Sequence, residues 1–146
     1  MDKISHVLEE KGRAVHTIEP SATVYEAIKQ MVAHNVGSLI VMADGEVAGI
    51  ITERDYLRQI ALKGRSSRTT EVAEIMTRDV ACVTPDHSIE ECMAIMTQER
   101  CRHLPVLEGA QITGVVSTGD LIKHLVSDQR VEIEHLTKYI CGKYPG

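Results

Sequence analysis

Apolar and polar residues alternate in two different periods along the first sixty positions, and the change of period marks the elements. Residues 4–10 read as a short helix ended at Gly12, and 14–18 as a brief strand closed by Pro20. Val24, Ala27, Ile28, Met31 and Val32 then follow the i, i+3, i+4, i+7, i+8 spacing of a single helix face, with Thr23 as its cap. The run 38–42 is apolar without a break and reads as a buried strand. Asp44-Gly45 predicts a two-residue type I′ hairpin turn, and 46–51 its returning partner. Thr52 opens a further helix whose Leu57, Ile60 and Ala61 are expected to face inward.

The same pattern returns 65 positions later. Sliding the chain by that offset pairs Val7 with Val72, Val15 with Val80, Pro20 with Pro85, Met31 with Met96, Leu39 with Leu104, Gly49 with Gly114 and Asp55 with Asp120. A duplication of this kind decides the architecture. The second copy predicts a helix over 71–76, a strand over 80–83, a Ser88-capped helix through Cys92 and Met96, and strands over 104–107 and 111–116. Pro105 has no amide to donate, which places it at a sheet edge or strand start. Gly109-Ala110 puts Gly first, as a type II′ turn requires. The expected division is a first motif over 1–66, a second over 67–128 and a helical extension over 129–146. Val131, Ile133, Leu136 and Ile140 keep an apolar stripe in that extension, which must cover either the repeat core or, as favoured here, another protomer.

Each copy contains a hydroxyl followed three residues later by a carboxylate, at Thr52 with Asp55 and at Ser117 with Asp120. Two readings stand. The pairs fit the capping box, but Thr23 with Glu26 and Ser88 with Glu91 fit it better, because Glu is long enough to reach back to the cap amide. A shorter carboxylate on a first helical turn can instead accept from vicinal hydroxyls of a ligand, while the helix N-terminus faces an anion.

At 146 residues the chain has room for one domain or two small repeats sharing a core, and 43% hydrophobic content suffices to fill it. No apolar run approaches the ~20 residues of a membrane span, and the first residues lack a signal-peptide core, so a cytoplasmic protein without a membrane segment is expected. A net charge of -5 and the absence of Phe and Trp argue against a nucleic-acid surface. Lys63, Arg65 and Arg68 form a basic stretch that reads as a solvated linker. Cys82, Cys92 and Cys101 stand where the first copy has Thr17, Ala27 and Val36, which predicts packing thiols; Cys141 falls outside this pattern and keeps a redox reading open. The cysteines and histidines show no metal-ligand spacing, so no metal is expected.

With a duplicated β-α-β-β-α order, two G-h-x-[ST]-x-x-[DN] signatures (Gly49 to Asp55 and Gly114 to Asp120) and Leu104-Pro105-Val106 in register, the chain resembles the CBS domain pair, or Bateman module. The resemblance covers nearly the whole chain and is greatest to stand-alone pairs. It implies an α/β fold of two motifs packed through their sheets about a pseudo-twofold axis, with two clefts for adenosyl ligands such as AMP, ADP, ATP, S-adenosylmethionine or NAD(H). It also implies a homodimer. In such clefts the Asp holds ribose hydroxyls, the Thr or Ser holds phosphate, and the partner motif surrounds adenine.

Carried over residue by residue, the resemblance implies a stronger cleft of Gly49, Ile50, Thr52, Arg54 and Asp55 with Val80, Ala81, Cys101, Arg102 and His103 from the second motif. Arg102 and His103 match a basic pair aimed at phosphate; taken alone, they also fit a surface ion pair and a hydrogen-bonded strand histidine. The weaker cleft would join Val115, Ser117 and Asp120 to Val15, His16, Val36, Gly37 and Ser38. Gly37 and Ser38 occupy the places of Arg102 and His103, so this cleft is expected to lack cations.

No nucleophile elbow, P-loop or catalytic triad is present in the sequence, so no catalytic residue is assigned. The leading expectation is a regulatory module that binds an adenine nucleotide and modulates an unidentified partner protein through dimer shape. An alternative is a ligand-free interaction scaffold acting through its dimer surface and C-terminal helix. An enzyme using Cys141 or a His/Asp pair is the least supported reading.

Overall fold

A computed structural model describes residues 2–128. The expected apolar stripe at Val131 to Ile140 and Cys141 lie outside the described residues. The elements are α1 (Ile4–Lys11), β1 (Thr17–Ile18), α2 (Val24–His34), β2 (Ser38–Ala43), β3 (Glu46–Thr52) and α3 (Glu53–Tyr56), followed by a π-helical turn (Leu57–Ala61). The second copy contains α4 (Val72–Ile75), α5 (Ile89–Glu99), β4 (His103–Glu108), β5 (Gln111–Ser117) and α6 (Thr118–Asp128). The fold is α/β, with β1 parallel to β2 and β2 antiparallel to β3 in one sheet, and β4 antiparallel to β5 in the other.

The hairpin turns follow their sequences. Asp44 and Gly45 both take positive φ (53° and 79°), as type I′ demands, whereas in the second hairpin Gly109 alone does so, at 63°. Both hairpins carry a bulge at the same place, between Val41 and Met42 and between Val106 and Leu107. Pro105 lies with its missing donor on the outer side of β4, where Val83 donates to the Pro105 carbonyl and accepts from the Leu107 amide. The two leading strands are shorter than expected. Only Thr17 and Ile18 pair in the first copy, and 80–83 reduces to a single bridge between Val83 and Val106.

The leading helices are exchanged between the repeats. Ile4, Val7 and Leu8 of α1 are buried in the core formed by Val83, Ile89, Cys92, Leu104, Val106, Val116 and Leu121 of the second copy. Val72, Ile75 and Met76 of α4 complete the first core, with Val24, Ala27, Met31, Leu39, Val41, Ile51 and Ile60. The docking bonds are equivalent: Ile4 donates to the His87 carbonyl as Val72 donates to that of Ala22, and Ser5 to Pro85 as Ala73 to Pro20. These bonds equate Ile4 with Val72, three positions away from the offset of 65. The identity of Val7 with Val72 is therefore not a structural equivalence.

Gly49 and Gly114 admit the exchanged elements. A methyl group on Gly49 would lie 2.5 Å from the Thr77 carbonyl oxygen and 3.1 Å from the Met76 sulfur, and one on Gly114 would lie 2.7 Å from Leu8 Cδ2. Their lack of a side chain lets helix and strand approach closely.

Three side chains expected inward are outside. Val32 is 76% exposed, Leu57 is 56% exposed and Ala61 is also exposed. After α3 the backbone bonds lengthen to i→i+5, from Leu62 to Leu57 and from Arg65 to Ile60, which rotates the following residues away from the 3.6-residue phase. Tyr56 packs on the core in place of Leu57, while Ile60 stays buried. The basic stretch 63–70 is also less solvated than expected. Arg65 pairs with Glu74 at 2.7 Å, Arg68 lies 4.1 Å above the Tyr25 ring, and Thr70 is buried.

Candidate functional site

Two clefts open where the ends of β3 and β5 meet the other repeat. The first, of about 460 Å³, is lined by every residue expected for the stronger cleft except Gly49: Ile50, Thr52, Arg54 and Asp55 with Val80, Ala81, Cys101, Arg102 and His103. Strand alternation explains the exception. Ile50 and Thr52 face the cleft, so Gly49 and Ile51 face the core. The second cleft, of about 330 Å³, is lined by all the expected residues except Val15: His16, Val36, Gly37, Ser38, Val115, Ser117 and Asp120. Its neighbours Ala14 and His16 line the cleft.

At the head of α3, the carboxylate is held by its own turn. Asp55 Oδ2 accepts from the Thr52 amide at 3.0 Å and from Thr52 Oγ1 at 3.1 Å, and the Asp55 amide donates to Thr52 Oγ1 at 3.2 Å. Asp120 Oδ2 likewise accepts from the Ser117 amide at 2.8 Å, and the Asp120 amide donates to Ser117 Oγ at 3.1 Å. Asp is therefore long enough to close the box. Ser88 and Glu91 also close one, whereas at Thr23 only the amide of Glu26 is satisfied. Capping and ligand binding are compatible here, because Oδ2 does the capping and, among the described residues, leaves Oδ1 of Asp55 facing only the Thr77 hydroxyl at 3.4 Å.

At the head of each helix the first amide is engaged within the protein. Glu53 donates its amide to the Gly37 carbonyl at 3.1 Å and Thr118 to that of Arg102 at 2.9 Å, which ties the end of each hairpin to its start. In the first cleft Arg58 and Arg100 join Arg54 and Arg102, and Glu53, Asp55, Asp79 and Glu99 share the lining. Among the described residues none of these arginines forms an ion pair. Arg54 donates to the Arg100 carbonyl at 3.4 Å. Arg100 ends α5 in the left-handed region (φ 54°), where the first repeat has Asn35 (φ 53°). Position 58 sits on the π-helical turn, which helical periodicity alone does not phase.

His103 lines both clefts, as does Gly37. Burial pushes its imidazole below the ordinary value of 6.5, with Lys11 acting in the same direction; Asp120 and Glu53 oppose this, and Arg102 adds to the lowering. It is therefore a neutral hydrogen-bonding group at neutral pH, and of the expected basic pair only Arg102 is a cation. His16 in the second cleft stacks on His34 with ring centroids 3.9 Å apart, and burial, followed by His34 and Lys11, lowers its pKa too.

The second cleft does not lack a cation. Lys11, the last residue of exchanged helix α1, donates to Asp120 Oδ2 and to the Val115 carbonyl, each at 2.5 Å. Burial acts to raise the Asp120 pKa, but hydrogen bonds from Lys11 and the Ser117 amide outweigh it and hold the carboxyl below its ordinary range. Aligning the two repeats leads to the expectation of no cation here, and the alternative open to the sequence, a cation reaching in from Lys11, Arg13 or a second protomer, is met by Lys11, which belongs to the first motif in sequence and packs with the second in space.

The three described thiols are packing groups. Cys92 is buried and its pKa is pushed up to about 11, mainly by burial and further by Glu91. Burial also raises Cys82 and Cys101, the latter in the wall of the first cleft. Among the described residues no group of three or more His, Cys, Asp or Glu is arranged to hold a metal ion, and no helix is long and apolar enough to cross a membrane.

The family model for the CBS domain matches residues 11–62 and 72–127. The mitochondrial CBS domain-containing protein CBSX3 of Arabidopsis thaliana is 43% identical over 150 residues, covering 97% of this chain and 73% of that protein. A solved CBS-domain protein from Burkholderia ambifaria MC40-6 is 44% identical with a TM-score of 0.86, covering 90% of this chain and 99% of its own. The CBS domain pair of protein MJ0100, solved with 5′-methylthioadenosine and S-adenosyl-L-methionine, shares the fold at 23% identity and a TM-score of 0.76, covering 88% and 98%. Two matched repeats, an exchanged-helix architecture and two clefts at the hairpin ends place the chain in the CBS domain family, as a tandem pair of the regulatory, signal-transduction type.

Proposed function

We propose that the protein is a sensor of an adenine nucleotide, with the Asp55 cleft as its principal site. The observation that carries this reading is the convergence of Ile50, Thr52, Arg54 and Asp55 with Val80, Ala81, Cys101, Arg102 and His103 on one cleft of about 460 Å³, a size that suits a small-molecule ligand. Asp55, oriented by its own turn, offers an ionised oxygen to the ribose diol. Ile50, Val80 and Ala81 give an apolar bed for adenine, and Arg102, with Arg54 and Arg58, offers charge-assisted bonds to phosphate. AMP, ADP, ATP and NAD(H) fit this chemistry; uncharged adenosine leaves the arginines unused. No metal and no catalytic step is part of the reading.

The signal would pass to a regulated partner protein through a homodimer in the cytoplasm. Leu57 and Leu62 (82% exposed) flank the turn that carries Arg58, and with Val32 and Ile122 (49% exposed) they supply apolar surface for association. The same exposed side chains favour a second reading, a scaffold whose clefts stay empty. Thermal unfolding with added AMP, ATP and NAD separates the two. A ligand at 100 times its Kd adds ~2.7 kcal/mol, whereas a scaffold shows no shift with any of them.

A further inference from the structure

We infer that His103 is a ligand contact for both clefts, and that the two nucleotide sites are negatively coupled through it: a nucleotide in one takes the ring donor that the other needs. The inference rests on the nucleotide reading and adds to it how the two sites affect each other.

Among the described residues only Gly37 and His103 line both clefts, so His103 is the one side chain they share. Its place follows from the duplicated hairpins. His103 pairs in register with Ser117, the cap of the Asp120 turn, as Ser38 pairs with Thr52 in the first repeat. Its backbone therefore lies beside the Asp120 turn, while its ring, next to Arg102, also lines the Asp55 cleft. Where the second repeat has Arg102, the first has Gly37. A methyl group on Gly37 would lie 3.3 Å from His103 Nε2 and 2.9 Å from Glu53 Oε1. The bare backbone at that position leaves the ring standing between the clefts. The charges that act on the ring come from both sides, Lys11 and Asp120 from one cleft and Glu53 and Arg102 from the other.

The sign of the coupling follows from imidazole chemistry. At about pH 8 the ring is neutral, with one N–H and one bare nitrogen. An ionised phosphate only accepts hydrogen bonds. Once a phosphate beside Arg102 accepts from the single N–H, a second phosphate beside Ser117 meets a lone pair and the charge of the first. The effect is reciprocal, and coupling between sites ordinarily amounts to about 5- to 150-fold in affinity.

Calorimetry and imidazole NMR on the full chain, titrated with AMP at about pH 8, test this. Asp120→Ala keeps only the Asp55 cleft and Asp55→Ala only the Asp120 cleft. AMP should shift the His103 ring signals in both variants, and in wild type with each equivalent. The second equivalent on wild type should bind about 5- to 150-fold more weakly than AMP binds to Asp55→Ala. A second equivalent too weak to measure beside an Asp55→Ala chain that binds supports the coupling as well. Placing His103→Ala in both chains should close the gap; if that variant does not fold, the ring signals and the wild-type gap decide. Ring signals that answer to one cleft only would overturn the inference, as would equal affinities, a gap that survives His103→Ala, or an Asp55→Ala chain that binds no AMP. Those outcomes leave the nucleotide reading standing. A wild-type chain that binds no AMP removes both.

Discussion

The two clefts contain the same turn with opposite companions. At Asp55 and Asp120 a hydroxyl residue caps the first turn, a carboxylate oxygen returns to the cap amide, and the next amide ties back to the start of the hairpin. Local sequence builds these turns alike, yet one carboxylate faces a threonine hydroxyl and the other a lysine ammonium. The difference comes from the exchanged segment, α4 in one case and α1 in the other. A duplicated motif can therefore carry the same first turn twice in different surroundings, since what faces it is supplied from elsewhere in the chain.

The largest expected effect is on the tight nucleotide site. Asp55→Ala should weaken AMP binding by roughly 100-fold or more, two lost charge-assisted hydrogen bonds at ~1.5–3 kcal/mol each. Asp120→Ala should move the same constant less than about threefold. Calorimetry in which Asp120→Ala instead removes the tight phase would reverse the comparison.

Arg102→Ala should weaken AMP by roughly 10- to 150-fold, the loss of one such bond, and leave adenosine unaffected. Equal losses for AMP and adenosine would demote Arg102 to a structural role.

The glycines sharpen the comparison as stability. Gly49→Ala must push against the Thr77 backbone, whereas Gly114→Ala meets a Leu8 methyl that can turn aside. Overpacking costs typically ~1–3 kcal/mol. Gly49→Ala should sit at the upper end and lower Tm by roughly 4–10 °C, with Gly114→Ala below it. Equal melts would mean that α1 and α4 yield alike.

The smallest effect is in pH. His103 has a folded pKa below 6.5, so on acidification the unfolded chain takes up its proton first, and stability falls as pH drops through and below 6.5. Asp120 acts at lower pH: its depressed folded pKa stabilises above the ordinary carboxylate range, and that contribution is lost as pH falls through the folded value. Denaturation of His103→Gln should shrink the first decline, which His16 shares, and keep the second. An unchanged profile above pH 5 would show that His103 stays open to water.

Much of the fold is decided by interactions that reach four residues or fewer, and those were legible in the chain. The Asp44-Gly45 and Gly109-Ala110 turns, the Thr23 and Ser88 caps and the alternation that turns Ile50 and Thr52 to one face and Ile51 to the other all follow from local backbone preference and burial. The duplication then made the second half predictable from the first. Leu57 and Ala61 were placed inward with Ile60, but it is Tyr56, four residues before Ile60, that packs on the core and turns them out. Strand period alone would have separated Gly49 from its cleft-facing neighbours.

By itself, the sequence determined two β-α-β-β-α units, their turns, and a carboxylate held at the head of each third helix. Only the tertiary structure decided that α1 and α4 change places, that His103 is buried enough to be neutral, and that Lys11 lies on Asp120. That last contact joins positions 109 apart, and its partners are chosen by how Leu8 packs over Gly114, a fit of shapes that no local pattern records.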